Sequence, residues 1–326
     1  MSYTTVSQWT TAIADAIRAK DGTQALINHQ DFPARISAIQ SGIDWKHLLT
    51  GTLPDTEVDV DIPDSSVEVR VFEKLFYNVF RSGNQSLTRV RINAPNAAFV
   101  SLEDSCFYNC HALEEVDIPS NDYQYVYYRA FYNCDALKYL KAPNLTFIDQ
   151  RVFENAGDKM TTEYMPKVTG VGDYAFSGAS VEKIIFPLAT SVSQGAFSNA
   201  KDIKQVNLPL ITSVQPSCFD SASFDENLVL ELPAVTRVYQ KAFQNSNLKR
   251  IDLSSVTQIN NTAFANVANL VCIIRTNQVC SLSSTNAFSG TAQIYVPDSL
   301  VSSYQSATNW SSLSSRIHGI SDLPAA

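Results

Sequence analysis

Residues 113–134 read LEEVDIPSNDYQYVYYRAFYNC, and two signals in that stretch decide the fold. Leu113 to Pro119 alternates apolar and polar side chains, which is the pattern of a half-buried strand. Further on stands Phe131, preceded by a small residue, Ala130. The same Phe returns along the chain as Phe76, Phe107, Phe131, Phe153, Phe176, Phe197, Phe219, Phe243, Phe264 and Phe288. After a first step of 31 residues the intervals are 24, 22, 23, 21, 22, 24, 21 and 24. Such a period is too short for helix-pair repeats and close to one strand plus a short connection per coil, so it predicts a solenoid. Function is then to be sought on a repeated surface.

Other columns keep the same register. Five residues before the Phe stand Val71, Leu102, Val126, Ile148, Val171, Val192, Val214, Val238 and Ile259, and the last coil departs with Ser283. Seven before it, Thr146, Thr169, Thr190, Thr212, Thr236 and Thr257 predict a stacked ladder. The residue just before the Phe is small or modest throughout, from Cys106 and Ala130 to Ala263 and Ala287, which suits a tight corner. Each coil thus offers two inward strands and a Phe anchor. At a strand spacing of roughly 4.8 Å, about ten coils make a rod roughly 50 Å long.

The flanks read differently. Ser7 can cap a helix carrying Trp9, Ile13 and Ile17 on one face and stopped by Gly22; Asp31 can cap a second, with Phe32, Ile36 and Ile39, stopped by Gly42. So small a hairpin cannot bury its own apolar stripe, which makes those six side chains an expected assembly surface. Residues 43–60 are a transition punctuated by Gly51 and Pro54.

The motif L-x-x-V-x-I-P followed by A-F-x-N-C, as in Leu113 to Pro119 and Ala130 to Cys134, resembles the BspA-like leucine-rich repeats of bacterial and protist surface proteins, over residues 61–298. Ile294 to Pro297, then Leu300, Tyr304, Ala307, Trp310 and Ile317, are similar to the helical cap that closes such arrays, in residues 299–326. The resemblance implies a mainly β solenoid of about ten coils, with an N-terminal helical hairpin in residues 1–42 and a C-terminal helical cap. Separately, Ala16 to Thr23, with Asp31-Phe32-Pro33 and Ile36 to Ile39, is similar to a segment that opens many tail and baseplate-associated proteins of phages infecting Gram-positive bacteria. That likeness implies a non-enzymatic virion protein, its hairpin on other tail or baseplate proteins and its repeats on host-surface glycan or protein, assembled as an oligomer. The alternative is a secreted bacterial surface adhesin of the BspA-like class. The N-terminus lacks the basic patch and apolar run of a secretion signal, which favours synthesis in a host cytoplasm and a place in the virion.

Composition narrows the partners. With 17% charged residues and a net charge of -8, the chain has no cluster of Lys and Arg for phosphate, so nucleic acid is excluded as a partner. No run of about 18 apolar residues predicts membrane insertion. His29, His47, His111 and His318 fall in four contexts, none pairing a base with a nucleophile, and no phosphate loop or metal motif is present; neither catalysis nor a cofactor or metal is expected. Cys110 and Cys134 share a column in adjacent coils, as a disulfide or as buried reduced thiols.

Two sets of residues are candidates for contact. Two positions before each Pro or its equivalent run Arg91, Asp117, Lys141, Tyr164, Ile185, Asn207, Glu231, Asp252 and Ile274, mixed chemistry that either recognition or drift on a solvated sheet produces. The cluster Tyr123, Tyr125, Tyr127, Tyr128 and Tyr132 exceeds what the register needs inside, where Val126 and Phe131 suffice. Exposed Tyr stacks on sugars or fills protein pockets, although it is also an ordinary strand former.

Overall fold

The computed structural model describes residues 57–61, 69–71, 87–93, 100–119 and 124–324. The expected 1–42 hairpin with Trp9, Ile13, Ile17, Phe32, Ile36 and Ile39, most of the 43–60 transition, Phe76 and Tyr123 lie outside the described residues.

The chain winds as a parallel solenoid of about ten coils. Each coil runs through a strand of a first sheet, a corner at the Pro, a strand of a second sheet, and a tight turn carrying the Phe. The first sheet runs from Glu57–Asp61 through Arg89–Asn93, Glu115–Asp117, Tyr139–Lys141, Met160–Thr161 and Val181–Ile185 to Gln205–Asn207. It resumes from Val229–Glu231 through Arg250–Leu253, Val271–Ile274 and Gln293–Val296 to Ile317–Gly319. The second sheet runs from Val69–Val71 to Ser191–Val192 and resumes from Ser213–Val214 to Ser281–Leu282. Pairing in register places Val90, Val116 and Leu140 one above another, all buried.

The spine is the Phe column. From Phe107 to Phe288 nine rings stack face to face, with centroids 4.8 to 5.3 Å apart and planes within 18°. All nine are fully buried. From Phe107 to Phe264 the turns around them hold two left-handed residues per coil, two before and two after the Phe, such as Arg129 (φ 54) and Asn133 (φ 56). Asn tolerates that conformation better than other side chains, which explains Asn109, Asn133, Asn155, Asn199, Asn245 and Asn266 at the second place. Two of their amides also bond the Asn one coil back, Asn133 to Asn109 at 3.0 Å and Asn266 to Asn245 at 2.9 Å.

The Thr column is exposed, and its hydroxyls work on the backbone. Thr169, Thr236 and Thr257 each donate both N–H and O–H to the carbonyl of the Thr one coil back, at 2.8 to 3.1 Å. In the last coil Leu282, one residue before Ser283, pairs with Ile259 and fills the inward place, because a 3-10 turn at Thr285–Phe288 follows it.

Each sheet breaks once, the second just before and the first just after the Phe197 and Phe219 turns. Among the described residues no strand pairing joins Ser191–Val192 to Ser213–Val214, or Gln205–Asn207 to Val229–Glu231. Pro216 has no N–H to give, and the turn built on Asp225, whose carboxylate and carbonyl accept from the N–H groups of Asn227 and Leu228, delays the next first-sheet strand. Here Val206 is only half-buried, whereas Ile184 and Leu230 in the same column are buried. The Phe turns still bridge the gap through Phe197 N–H to the Cys218 carbonyl at 2.8 Å.

The C-terminal cap is a substitute coil. Trp310 lies over Phe288 at 5.8 Å and extends the aromatic column, while Tyr304 packs edge-on against it. The Trp310 indole N–H donates to the Cys280 carbonyl at 2.6 Å, the Tyr304 hydroxyl accepts from the Cys280 N–H at 2.9 Å, and Asn309 donates to the Leu282 carbonyl at 2.7 Å. Arg316 donates to the carbonyls of Phe288 and Gly290, and Ile317–Gly319 pairs with Gln293–Val296. The cap thus meets three edges of the last coil that would otherwise be open. No helix among the described residues is long and apolar enough to cross a membrane.

Candidate binding surface

The outer faces of the two sheets differ in chemistry. On the first, charges alternate in sign from coil to coil. Arg91 meets Asp117 at 3.3 Å, Arg89 meets Glu115 at 3.5 Å, and Lys141 meets the same Glu115 at 2.9 Å. The pattern continues with Lys138 on Glu114, Lys183 on Glu163, Lys204 on Glu182, and Arg275 on Asp252 at 2.7 Å. Hydrogen bonding to Glu115 raises the Lys141 ammonium above its ordinary range, and bonding to Asp252 does the same for Arg275. Partly exposed pairs of this kind contribute about 0–1 kcal/mol each.

Of the column two before the Pro, Arg91, Asp117, Lys141 and Asp252 are therefore engaged with neighbouring coils, while Asn207 and Glu231 are exposed. Lys141 also sits 5.8 Å from the rings of both Tyr139 and Tyr164. Ile274 departs from the expected outward face. Asp252 pairs in register with Ile273, and Ile274 follows Leu253 into the core, so it is fully buried. A shallow open recess of about 320 Å³ on this face is lined by Glu231, Leu232, Pro233, Asp252, Ser254 and Arg275.

The second sheet carries a separate aromatic group. Tyr125 points outward between buried Gln124 and Val126 and is 39% exposed, while Tyr127, at the strand's end, is half-buried and stacks on it at 6.1 Å. Tyr128 is half-buried, with the Arg129 guanidinium 5.0 Å from its ring and 5.0 Å from that of Tyr132, which stacks on Tyr108 at 4.6 Å. The cluster therefore divides between an outer face, Tyr125 and Tyr127, and a turn edge, Tyr128 and Tyr132.

A further aromatic, outside the Tyr cluster, joins the outer face. Phe147 is 51% exposed in the next coil. The strand Leu145–Ile148 has the burial order buried, exposed, exposed, buried, with an irregular register opposite Gln124–Val126. Its extra residue turns Phe147 outward. The signal was present as two residues between Leu145 and Ile148 where one stands between Gln124 and Val126.

The thiols face inward. Cys106, Cys110, Cys134, Cys218, Cys272 and Cys280 are buried and unbridged, and the Cys134 thiol donates to the Phe107 carbonyl. Burial pushes Cys106, Cys134, Cys218 and Cys272 above the usual thiol range and Cys280 up to about 12. Among the described residues no group of three or more His, Cys, Asp or Glu could hold a metal ion. His111 pairs with Asp135 one coil on, and His318 bonds Gln293 in the cap.

No curated protein matches the chain. The repeats themselves do match a family: residues 69–160 and 169–295, well over half of the sequence, fit the model of the BspA type leucine rich repeat region in six copies. With the Phe spine, the two parallel sheets and the capped end in place, the chain belongs to the BspA type leucine-rich repeat family.

Proposed function

We propose that this protein is an adhesin displayed at a bacterial surface, holding its partner on the outer face of the second sheet around Tyr125 and Tyr127. The chain is a non-enzymatic leucine-rich repeat solenoid, and a solenoid of this kind serves binding. The observation that carries the reading is the contrast between faces. The first sheet satisfies its charges coil to coil and holds its rings, Tyr139 and Tyr164, edge to face beside Lys141, whereas the second presents Tyr125 and, in the next coil, Phe147 at equivalent places. Asn207 and Glu231, with the ion-paired Arg91, Asp117, Lys141 and Asp252, form a second contact surface on the first sheet.

A specific observation favours a second reading, a phage tail or baseplate protein. Ala16 to Thr23 and Asp31-Phe32-Pro33 resemble the opening segment of such proteins, and six buried unbridged thiols suit folding in a reducing cytoplasm. In that reading Trp9, Ile13, Ile17, Phe32, Ile36 and Ile39 attach the protein to its virion neighbours, and the same Tyr face meets the host surface.

Beads coated with the purified protein test the contact surface on epithelial monolayers and on Gram-positive cell walls. Tyr125→Ala with Tyr127→Ala is expected to abolish retention on one of them while melting is unchanged. Equal retention of variant and wild type refutes the placement. Immunogold labelling separates the readings, by decorating the producing cells for an adhesin and particle tails for a virion protein.

A further inference from the structure

We propose that the ligand of the second sheet is a polysaccharide of neutral or amino sugars, laid along the solenoid axis across the rings of Tyr125 and Phe147. This rests on the adhesive reading above and names the chemistry it would recognise.

Tyr125 stands six residues before Phe131 and Phe147 six before Phe153, so the two rings occupy equivalent places in adjacent coils. A step from one coil to the next is roughly 4.8 Å. That is close to the length of one pyranose unit, so consecutive sugars can meet consecutive rings.

The rings are also laid down as platforms. Phe147 pairs in register with Gly170 of the following coil. A Cβ built on Gly170 would lie 2.9 Å from both Cδ2 and Cε2 of Phe147, so one edge of the ring runs over the glycine and fills the space a side chain would take. Gly170 is not in the left-handed region; its lack of a side chain is what gives the ring room. The ring is seated on the sheet and remains 51% exposed. Tyr127, nearly parallel to Tyr125 at 18°, widens the platform in its own coil.

The polar groups around the rings suit hydroxyl donors. Asp149 follows Phe147 closely in the chain, and Glu103, one coil back from Tyr127, accepts from the Ser101 hydroxyl at 2.6 Å. Thr146 and Thr169 are exposed beside the strand. Carboxylates repel a polyanion. The nearby guanidiniums are engaged elsewhere, Arg129 over Tyr128 and Tyr132, and Arg151 over Tyr174 and on Glu154 at 2.7 Å. Sulfated or uronic acid chains therefore gain nothing here, whereas uncharged or cationic sugars combine stacking with hydrogen bonds to carboxylate. A protein partner would need roughly 800 Å² on this side and a pocket for its anchor, and the coils beyond Phe147 instead offer Gly170, Ser191 and Ser213.

Immobilised oligosaccharides, neutral, amino and anionic, are the probe, with the full chain in solution. Binding is expected on neutral or amino sugars only and nearly unchanged up to ~0.5 M salt. Phe147→Ala should weaken it about tenfold with unchanged melting, and Phe147→Tyr should retain it. Binding to no sugar, binding confined to anionic sugars, or a Phe147→Ala variant that binds as the wild type does overturns the proposal. The bead assay on cells pretreated with periodate or with protease separates this failure from that of the adhesive reading. Retention lost to protease and untouched by periodate removes the polysaccharide and keeps the adhesin; retention on no cell or wall removes both.

Discussion

Replacing Phe197 by Ala tests the spine where it carries most. The ring is fully buried and stacks on Phe176 at 5.2 Å and on Phe219 at 5.3 Å. Truncating a buried Phe costs about 3–5 kcal/mol, and the amount depends on how far the site collapses. Collapse is hindered here, because the neighbouring turns are held apart by backbone bonds that the substitution leaves intact, Phe176 to Ala196 at 2.7 Å and Phe197 to Cys218 at 2.8 Å. The loss should therefore fall near the upper end of that range, about 4–5 kcal/mol.

A second consequence follows from the sheet break. On either side of the Phe197 and Phe219 turns, Ser191–Val192 does not pair with Ser213–Val214, nor Gln205–Asn207 with Val229–Glu231, so stacking, turn bonds and the isolated bridge of Ile203 to Phe224 carry that stretch of the interface. In a one-dimensional array, weakening one interface uncouples the segments on either side. Urea unfolding of Phe197→Ala should then split into two transitions by circular dichroism. With Trp9 and Trp45 replaced by Phe, Trp310 fluorescence should follow only the C-terminal one. Phe243→Ala is the control: its second-sheet strand Arg237–Val238 is paired on both sides, and one transition is expected to persist. A loss below about 1 kcal/mol, or a Phe197→Ala curve of the same single form as Phe243→Ala, refutes the reasoning.

The cap should determine solubility as well as stability. Trp310→Ala strips the face of Phe288 and leaves the Cys280 carbonyl without its donor, so melting should drop and sedimentation should show higher assemblies; a monodisperse variant with wild-type melting would remove the cap from this role. Alkali should unfold the protein early. Burial raises the folded pKa of Cys106, Cys134, Cys218 and Cys272, of Cys280 to about 12 and of Tyr304 to about 12, so the thiols' contribution is complete below their unfolded value of about 8.5 and fades as pH rises from there, while that of Tyr304 fades only above its unfolded value of about 10. Each thiol removes about 1.4 kcal/mol per pH unit between its unfolded and folded values, so melting should be level to about pH 8 and steep above pH 9; a level profile to about pH 11 contradicts the burial of the thiols.

The spine was legible because stacking repeats nearly the same demand from coil to coil: one aromatic, a small or modest residue before it and, in all but the last coil, an aliphatic five before it. The cap was legible in part. Trp310 falls 22 residues after Phe288, within the period, yet its bonds to Cys280 depend on a fold-back that spacing does not encode. Departures from period were harder to place. The interval from Phe197 to Phe219 is ordinary, and nothing in it marks the break, which is bordered by Pro216 and the Asp225 turn. Ile274 looked outward from its distance to the chain's corner, but register with Leu253 sends it inward. In sequence Arg91 and Asp117 read as mixed chemistry, whereas side chains in register on adjacent strands lie within reach of each other and these two pair across coils.

Internal repetition also separates what the stack requires from what it tolerates. Where a side chain is needed for packing, the column keeps its chemistry, as the Phe and aliphatic columns do. The place six before the Phe behaves otherwise. It holds Ser101, Gly170, Ser191, Ser213, Arg237 and Gln258, so coils stack with no side chain there, with a hydroxyl, or with a long polar one. Tyr125 and Phe147 occupy this permissive place in two consecutive coils, and exposing two large rings costs solubility without adding to the core. Their presence is therefore not explained by the demands of the solenoid. The proposed ligand, meeting both coils at once, would account for it, and the second sheet presents both rings on one side of one rigid stack.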